Sequence, residues 1–314
     1  MSARARLAKV KALLEAIRAR EDLRARRSAD PVDFVHRYTQ LEDRELVALV
    51  SAACAFGNVK VIGRKLTELF ALVALAGPSP SAAADAPREL RSRLNHFRHR
   101  VLRGDDLWAL LVGARKLQLE AGSLGAAFVA ELARADAANA TEKAAARGDE
   151  ADALKEALAS FCDLIRIAGG LPCAGERGQR DKSGRRGPSH VLANVRAGSA
   201  AKRLLLFLRW MVRPADGIDL GLWDVPARRL VIPVDVHIHR LGYNLGLTSR
   251  RDVSWKTAVE ITKSLAFFDE HDPVRYDFSL CHLGMIQNCP SHPNTVADTA
   301  CCSGCEIKPV CVNW

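Results

Sequence analysis

Four of the five cysteines between residues 289 and 311, Cys289, Cys302, Cys305 and Cys311, are spaced C-x12-C-x2-C-x5-C. Thiols this close converge on one point when short loops return each sulfur, so this end of the chain is expected to be a metal-pinned series of turns. Four thiolates suit a 4Fe–4S cluster and suit structural zinc equally well, and spacing alone leans slightly to zinc as the commoner tenant. Nine cysteines in all, behind a basic N-terminus with no apolar signal core, point to a reducing, cytoplasmic setting. Clustered thiols there bind metal more often than they form disulfides.

The remaining sequence reads as helix. Aromatics are few, Ala, Leu and Arg abound, and β-branched alternation is weak. No apolar run approaches the ~18 residues that a membrane span needs, so no membrane association is expected. A basic amphipathic helix is expected over residues 3–28, with Leu7, Val10, Leu13, Leu14 and Ile17 on one face, broken by Asp30-Pro31. Glu45–Cys54 should form a second helix, turning at Gly57-Asn58 and resuming from Ile62 to Leu75. Helices follow over about 86–102, 105–120 and 123–135, and the Ala-rich stretch 133–158 reads as a surface helix pair or an insertion. Residues 174–190 mix glycines with arginines and should be a flexible basic loop. Leu204–Val212 is an apolar helix, and Leu230-Val-Ile-Pro-Val is an extended run feeding a helix that starts near Val236. The net charge of +10 favours a polyanionic partner, since Lys and Arg that neutralise phosphates release counterions.

Asp235 stands where the extended run meets its helix, the place of an N-cap. It also belongs to Val234-Asp-Val-His-Ile-His-Arg240, and together with the cysteine loop this segment resembles the iron–sulfur branch of the helix-hairpin-helix DNA glycosylases, typified by endonuclease III. The resemblance implies an all-α, two-lobed fold. Residues 40–234 would form a helical barrel with its hairpin near 192–212, and residues 1–39 would join 235–314 in a second lobe. It further implies that Asp235 acts near the sugar C1′, that His237 and Arg240 orient the helix or its contacts, and that the four cysteines hold a 4Fe–4S cluster. The cluster would pin a loop whose Lys308 approaches a phosphate. The interval from Cys289 to Cys302 is longer than the family's, so Cys289 departs most from the pattern; Cys301 adjoins Cys302, and Cys281 should be buried in the helix leading to the loop.

In that family the hairpin L-P-G-x-G-x-K-T-A carries a nucleophilic lysine, and Gly198 to Lys202 keeps the offset from first glycine to lysine. The helix dipole and partial burial would favour its neutral amine. Ala200 replaces the second glycine, and the 33-residue interval from Lys202 to Asp235 is similar to that of archaeal-type 8-oxoguanine glycosylases. Leu49–Asn58 resembles L-L-S-A-Q-A-T-D, with Ala53 where the family's gap-filling glutamine stands, leaving Asn58 or the 174–190 loop for that task. The motifs Ser199-Ala-Ala-Lys-Arg-Leu204, Leu208-Arg-Trp-Met-Val-Arg213 and Asp219-Leu-Gly-Leu-Trp223 resemble an uncharacterised bacterial family still more closely.

Arg196, Gly198, Ser199, Arg203, Arg209 and Arg213 are expected to contact nucleic-acid phosphates, and Trp210 and Trp223 to lie in the core. His96, Phe97, His99 and Arg100 could line a base pocket or ride a surface helix. The expected function is a base-excision DNA glycosylase, monomeric and nucleoid-associated, with or without abasic-site lyase activity, with Asp235 and Lys202 catalytic and a flipped damaged base, oxidised bases among the candidates, as target. The alternative is a non-catalytic nucleic-acid-binding protein on the same scaffold.

Overall fold

The computed structural model describes residues 3–20, 22–143, 150–171, 192–287, 302 and 304–312. The protein is mostly helical. Helices α1 (Ala3–Ala19) and α2 (Leu23–Arg27) precede a 3-10 turn at Pro31–Arg37. Then come α3 (Leu41–Cys54), α4 (Val59–Ala74), α5 (Pro80–Asp85) and α6 (Pro87–Leu94). A two-stranded hairpin, β1 (Arg98–His99) and β2 (Leu102–Arg103), leads to α7 (Gly104–Ala121), α8 (Leu124–Lys143) and α9 (Glu150–Ala168). The second half holds α10 (Lys202–Val212), α11 (Val236–Asn244), α12 (Trp255–Ala266), α13 (Asp277–Gln287) and a 3-10 turn at Lys308–Val310. No helix among the described residues is long and apolar enough to cross a membrane.

Two expected helices differ. The N-terminal one stops at Ala19, and Asp22 starts a separate short helix by accepting from Ala25 N (3.0 Å). The helix expected over 86–102 ends at Leu94 and gives way to the hairpin. The hairpin buries Phe97, His99 and Leu102, and places His99 Nε2 3.1 Å from the carbonyl of Cys54 at the end of α3. Its turn passes through Arg100 at φ 53°, a left-handed position usually given to Gly or Asn, so no turn signature marks it. The Ala-rich stretch does form a helix pair. It is built into the core, with Ala135, Ala153, Leu154, Ala157 and Leu158 buried where α8 and α9 pack together. The 174–190 segment lies outside the described residues.

α3 is the central strut. Leu46 to Cys54 is buried on every face, because α10, α7, α5 and the Pro31–Arg37 turn all pack around it. Such a helix can carry a charge only if every oxygen finds a donor. Glu45 does: its carboxylate accepts from Leu124 N, Gly125 N, Gln118 Nε2 and Trp223 Nε1, each at 2.8 Å. It thereby caps the start of α8. Trp223 lies so close to Gly125 that a Cβ there would sit 2.6 Å from the indole, which explains the glycine. Trp223 also stacks on Phe128 and meets Phe207 of α10 edge-on, so the Asp219–Trp223 motif is a core clasp.

The first and last parts of the described chain meet. α1 packs on α13, Lys11 Nζ donates to Phe268 O (2.6 Å), and Tyr276 Oη donates to Glu15 (2.6 Å). Arg20 pairs with Glu306 (2.7 Å), above the buried Ile307 and Val310.

Candidate active site

Residues 195–201 form a tight loop that aims the start of α10. Gly198 N donates to Val195 O (2.9 Å), and Gly198 takes φ +87°, where a side chain would be strained. Ser199 bridges to Ser254, and Trp255 N donates to Gly198 O (3.0 Å), so the loop is tied to the first turn of α12. Ala201 is left-handed (φ 46°) without being glycine, a strained geometry that these ties hold in place. Lys202 follows as the first helical residue. Its side chain is one-third exposed.

The opposite wall is the buried run Leu230–Val234, fixed to α12 by Ile232 N donating to Thr262 Oγ1 (3.0 Å). Asp235 ends it. One carboxylate oxygen accepts from His237 N and Ile238 N, each at 2.9 Å, and caps α11. The other lies 2.9 Å from Lys202 Nζ. A single side chain therefore builds the helix and presents a charge to the lysine.

Burial pulls the Lys202 ammonium toward its neutral form, but the Asp235 carboxylate outweighs it and the net displacement is upward. Burial likewise pushes Asp235 up, and Lys202 with the capping amides draws it below the usual carboxylate range. The resting state is thus an ion pair. This differs from the expectation of a neutral amine: a carboxylate at hydrogen-bond distance favours the ammonium and offsets the effect of burial.

α13 closes the site with two residues one turn apart, Asp277 and Cys281. Burial pushes Asp277 up to about 6, against the pull of Arg209, with Asp235 and Asp219 adding to the rise. Burial also pushes the Cys281 thiol up to about 12, reinforced by Asp235 and Asp277. Asp277 was not singled out from sequence. The signal available was an acidic residue one turn before Cys281 at the start of an apolar helix.

The arginines separate sharply. Arg209 (3% exposed) and Arg213 (5%) do not form the expected phosphate-contacting face. Arg209 bonds Asp219 (3.1 Å) and Asp277, while Arg213 bonds Asp219, Asp216 (3.1 Å) and Asp272 (2.9 Å). Buried guanidinium groups need such partners, and four aspartates supply them. Arg203 turns the other way, donating to Ala53 O (3.1 Å) beneath the Phe56 ring, and burial lowers it to about 10. Arg196 is exposed but clamped by Glu156 and Asp163, both at 2.6 Å. Ser199 is exposed on the loop, and His237 and Arg240 are half-buried on α11. Asn58 caps α4 through Lys60 N (3.0 Å), and His99 and Phe97 are buried. Trp210 and Trp223 are core residues.

Cys302, Cys305 and Cys311 sit on successive tight turns, with Lys308 between them, and none is in a disulfide. Each is half-buried. Cys289 and Cys301 lie outside the described residues. Among the described residues, no three His, Cys, Asp or Glu side chains gather closely enough to hold a metal. The donor chemistry, soft thiols on consecutive turns, nonetheless suits a thiophilic centre.

A family model described as a protein of unknown function (DUF2400) matches residues 30–286. The chain belongs to the DUF2400 family. The match takes in Lys202, Asp235, Asp277 and Cys281 and stops before the cysteine loop. Neither the curated proteins nor the solved structures give a match to this DUF2400 protein.

Proposed function

We propose that this DUF2400 protein is a DNA base-excision glycosylase of the helix-hairpin-helix type, with abasic-site lyase activity, acting on a damaged base flipped out of the duplex. The observation that carries this reading is the Lys202–Asp235 pair: an amine and a carboxylate 2.9 Å apart, at the start of two helices, with the lysine side chain one-third exposed. The net charge of +10 supports a polyanionic substrate.

In this mechanism the Lys202 ammonium gives its proton to Asp235, the nearest base. The neutral amine attacks C1′ as the bond from C1′ to the base nitrogen breaks, and the base leaves with that electron pair and takes up a proton. The amine loses its second proton as the sugar ring opens, leaving an iminium at C1′. Loss of a C2′ proton then expels the 3′-phosphate. Once Asp235 has passed that proton to the departing base, its carboxylate stabilises the positive charge of the iminium at C1′.

Cys302, Cys305 and Cys311, with Cys289, would hold a 4Fe–4S cluster or zinc, which supplies structural pinning of the segment against α1 rather than redox chemistry. A brown protein with iron and sulfide in a 4:4 ratio per chain is expected on anaerobic purification. Zinc and a colourless protein would replace the cluster in this account.

The test is base release from duplexes carrying 8-oxoguanine, oxidised pyrimidine or uracil. Wild type should release one class, and Asp235→Asn should lose at least about a hundredfold in rate. No release from any lesion by fully metallated protein would overturn the reading. A second reading, a non-catalytic nucleic-acid binder, is favoured by the end of α3 and the turn after it: the buried Ala53 methyl is too short to fill a vacated stack, and Asn58 is engaged as a cap. It predicts binding that is salt-sensitive and blind to lesions.

A further inference from the structure

The β1–β2 hairpin breaks two local rules of strand pairing. His99 and Leu102 pair across it and are buried, while Arg98 and Arg103 pair on its outer face. Like charges directly opposite one another repel and weaken a ladder. The turn then holds Arg100 at φ 53°, a left-handed conformation that costs stability in a residue with a large side chain. A two-stranded hairpin has little ladder energy to offset either cost. The segment from His96 to Arg103 nevertheless carries three arginines and two histidines without a single acid. Acids are close at hand but engaged elsewhere: Arg91 pairs with Asp105 (2.9 Å), Arg93 with Glu89 (2.6 Å) and Arg115 with Asp85 (2.9 Å). Among the described residues, no carboxylate pairs with the guanidinium of Arg98, Arg100 or Arg103. Arg98 donates to the neutral carbonyls of Asn95 (3.3 Å) and Phe97 (2.8 Å).

This basic hairpin leads to the start of α10 across one aromatic ring. Arg100 Cζ lies 5.9 Å from the Phe56 centroid, and a Cβ on Gly57 would meet Arg100 Nη1 at 2.7 Å. The His99 ring lies 4.8 Å from the same centroid, and Arg203, next to Lys202 in the chain, lies 5.0 Å from it. We propose that the 98–103 hairpin is a phosphate-binding finger: Arg98, Arg100 and Arg103 hold the backbone of the duplex DNA that is presented to Lys202, with Phe56 and Arg203 between the two. This deepens the proposed function and rests on it for placing DNA at Lys202. A phosphate lying across Arg98 and Arg103 relieves their repulsion, so what weakens the free hairpin strengthens its hold on a polyanion. Such contacts position a duplex without reading its sequence. They also supply the cationic surface that Arg209 and Arg213, buried among aspartates, do not.

The experiment is fluorescence anisotropy of the full-length protein with an undamaged, fluorescein-labelled duplex over a series of salt concentrations. Wild type should bind, and each of Arg98→Gln, Arg100→Gln and Arg103→Gln should weaken binding to every duplex sequence alike. Each should also reduce the slope of log Kobs against log salt by about 1. Arg93→Gln removes the same charge from the neighbouring pair with Glu89 and should leave the slope in place. Arg98→Glu sets an acid opposite Arg103, and should raise the melting temperature while weakening DNA binding more than Arg98→Gln does.

Wild type that does not bind the duplex, or hairpin variants that keep its affinity and slope, would overturn the proposal. So would an equal loss in Arg93→Gln, because net charge would then explain the effect. Should a glutamine variant fail to fold, Arg98→Glu takes its place, and unchanged binding there counts against the proposal in the same way. Polyglutamate held as tightly as the duplex, with the same loss in the hairpin variants, would make the partner an acidic protein and overturn the assignment to DNA. Base release is a separate readout. Hairpin-dependent binding with no release from any lesion sinks the glycosylase reading and leaves the finger standing, whereas base release with hairpin-independent binding sinks the finger alone.

Discussion

One helix carries two versions of the same chemistry. At its start, Lys202 meets Asp235 at 2.9 Å with the lysine side chain one-third exposed. Two turns and more along the same face, the buried Arg209 and Arg213 meet the buried Asp219 and Asp277 and the partly buried Asp216 and Asp272. The arginine end is saturated: each guanidinium has at least two carboxylates, Asp216 and Asp219 from the loop that follows α10 and Asp272 and Asp277 from in and before α13. The lysine end has one donor, one close acceptor and an opening. Opposite charges at close range thus mark a structural clamp in one place and a reactive pair in the other. What separates them is access and proton lability. An arginine does not give up its proton in a protein, whereas a lysine does so when its environment changes.

The strongest way to break this comparison is to remove a cation from the buried end. Arg209→Met would leave Asp219 and Asp277 buried without their shared partner, and should cost about 3–5 kcal/mol in denaturant unfolding. A loss below about 1 kcal/mol would mean that water reaches the clamp. At the open end, Asp235→Ala removes the cap of α11 and should cost about 1–2 kcal/mol, whereas Asp235→Asn retains a capping oxygen and should cost less. If both cost the same, charge rather than capping holds that helix.

The pH dependence sharpens the contrast further. Asp235 is displaced below its ordinary value of 3.8, so its share of the pair's stabilisation is complete above 3.8 and is lost as pH falls through the folded value. Lys202 is displaced above 10.5, so its share is complete below 10.5 and is lost as pH rises through the folded value. A double-mutant cycle with Lys202→Met and Asp235→Asn should therefore give a coupling that is flat between these limits and collapses outside them. Its size should be about 1 kcal/mol, because solvent screens the exposed lysine. The smallest effect belongs to the exposed pair Glu89–Arg93 on α6, whose removal should change stability by less than about 0.5 kcal/mol.

Periodicity made α3, α4 and α10 legible, and the step from an extended run to a capped helix at Asp235 could be read residue by residue. The hairpin at 98–103 could not, since Arg100 occupies a turn position that sequence normally marks with Gly or Asn. The arginines misled for a different reason. A basic stripe at helical spacing looks the same whether it faces phosphates or aspartates, and the acids that decide it come from positions 216, 219, 272 and 277. Glu45 is similar: nothing local to α3 announces that its donors come from Gln118, Leu124, Gly125 and Trp223. Lys202 and Asp235 were legible as separate candidates, while Asp277 needed its ion pair with Arg209, 68 residues away, to be seen.

The measurement that bears most directly on the reactive end of α10 is borohydride trapping on a duplex with an abasic site, followed by peptide mapping of the adduct. The covalent link should map to Lys202 and vanish in Lys202→Gln, with the variant melting as wild type does. An adduct that persists in Lys202→Gln, or its absence from wild type on abasic and lesion duplexes alike, would contradict the assignment of Lys202 as the nucleophile.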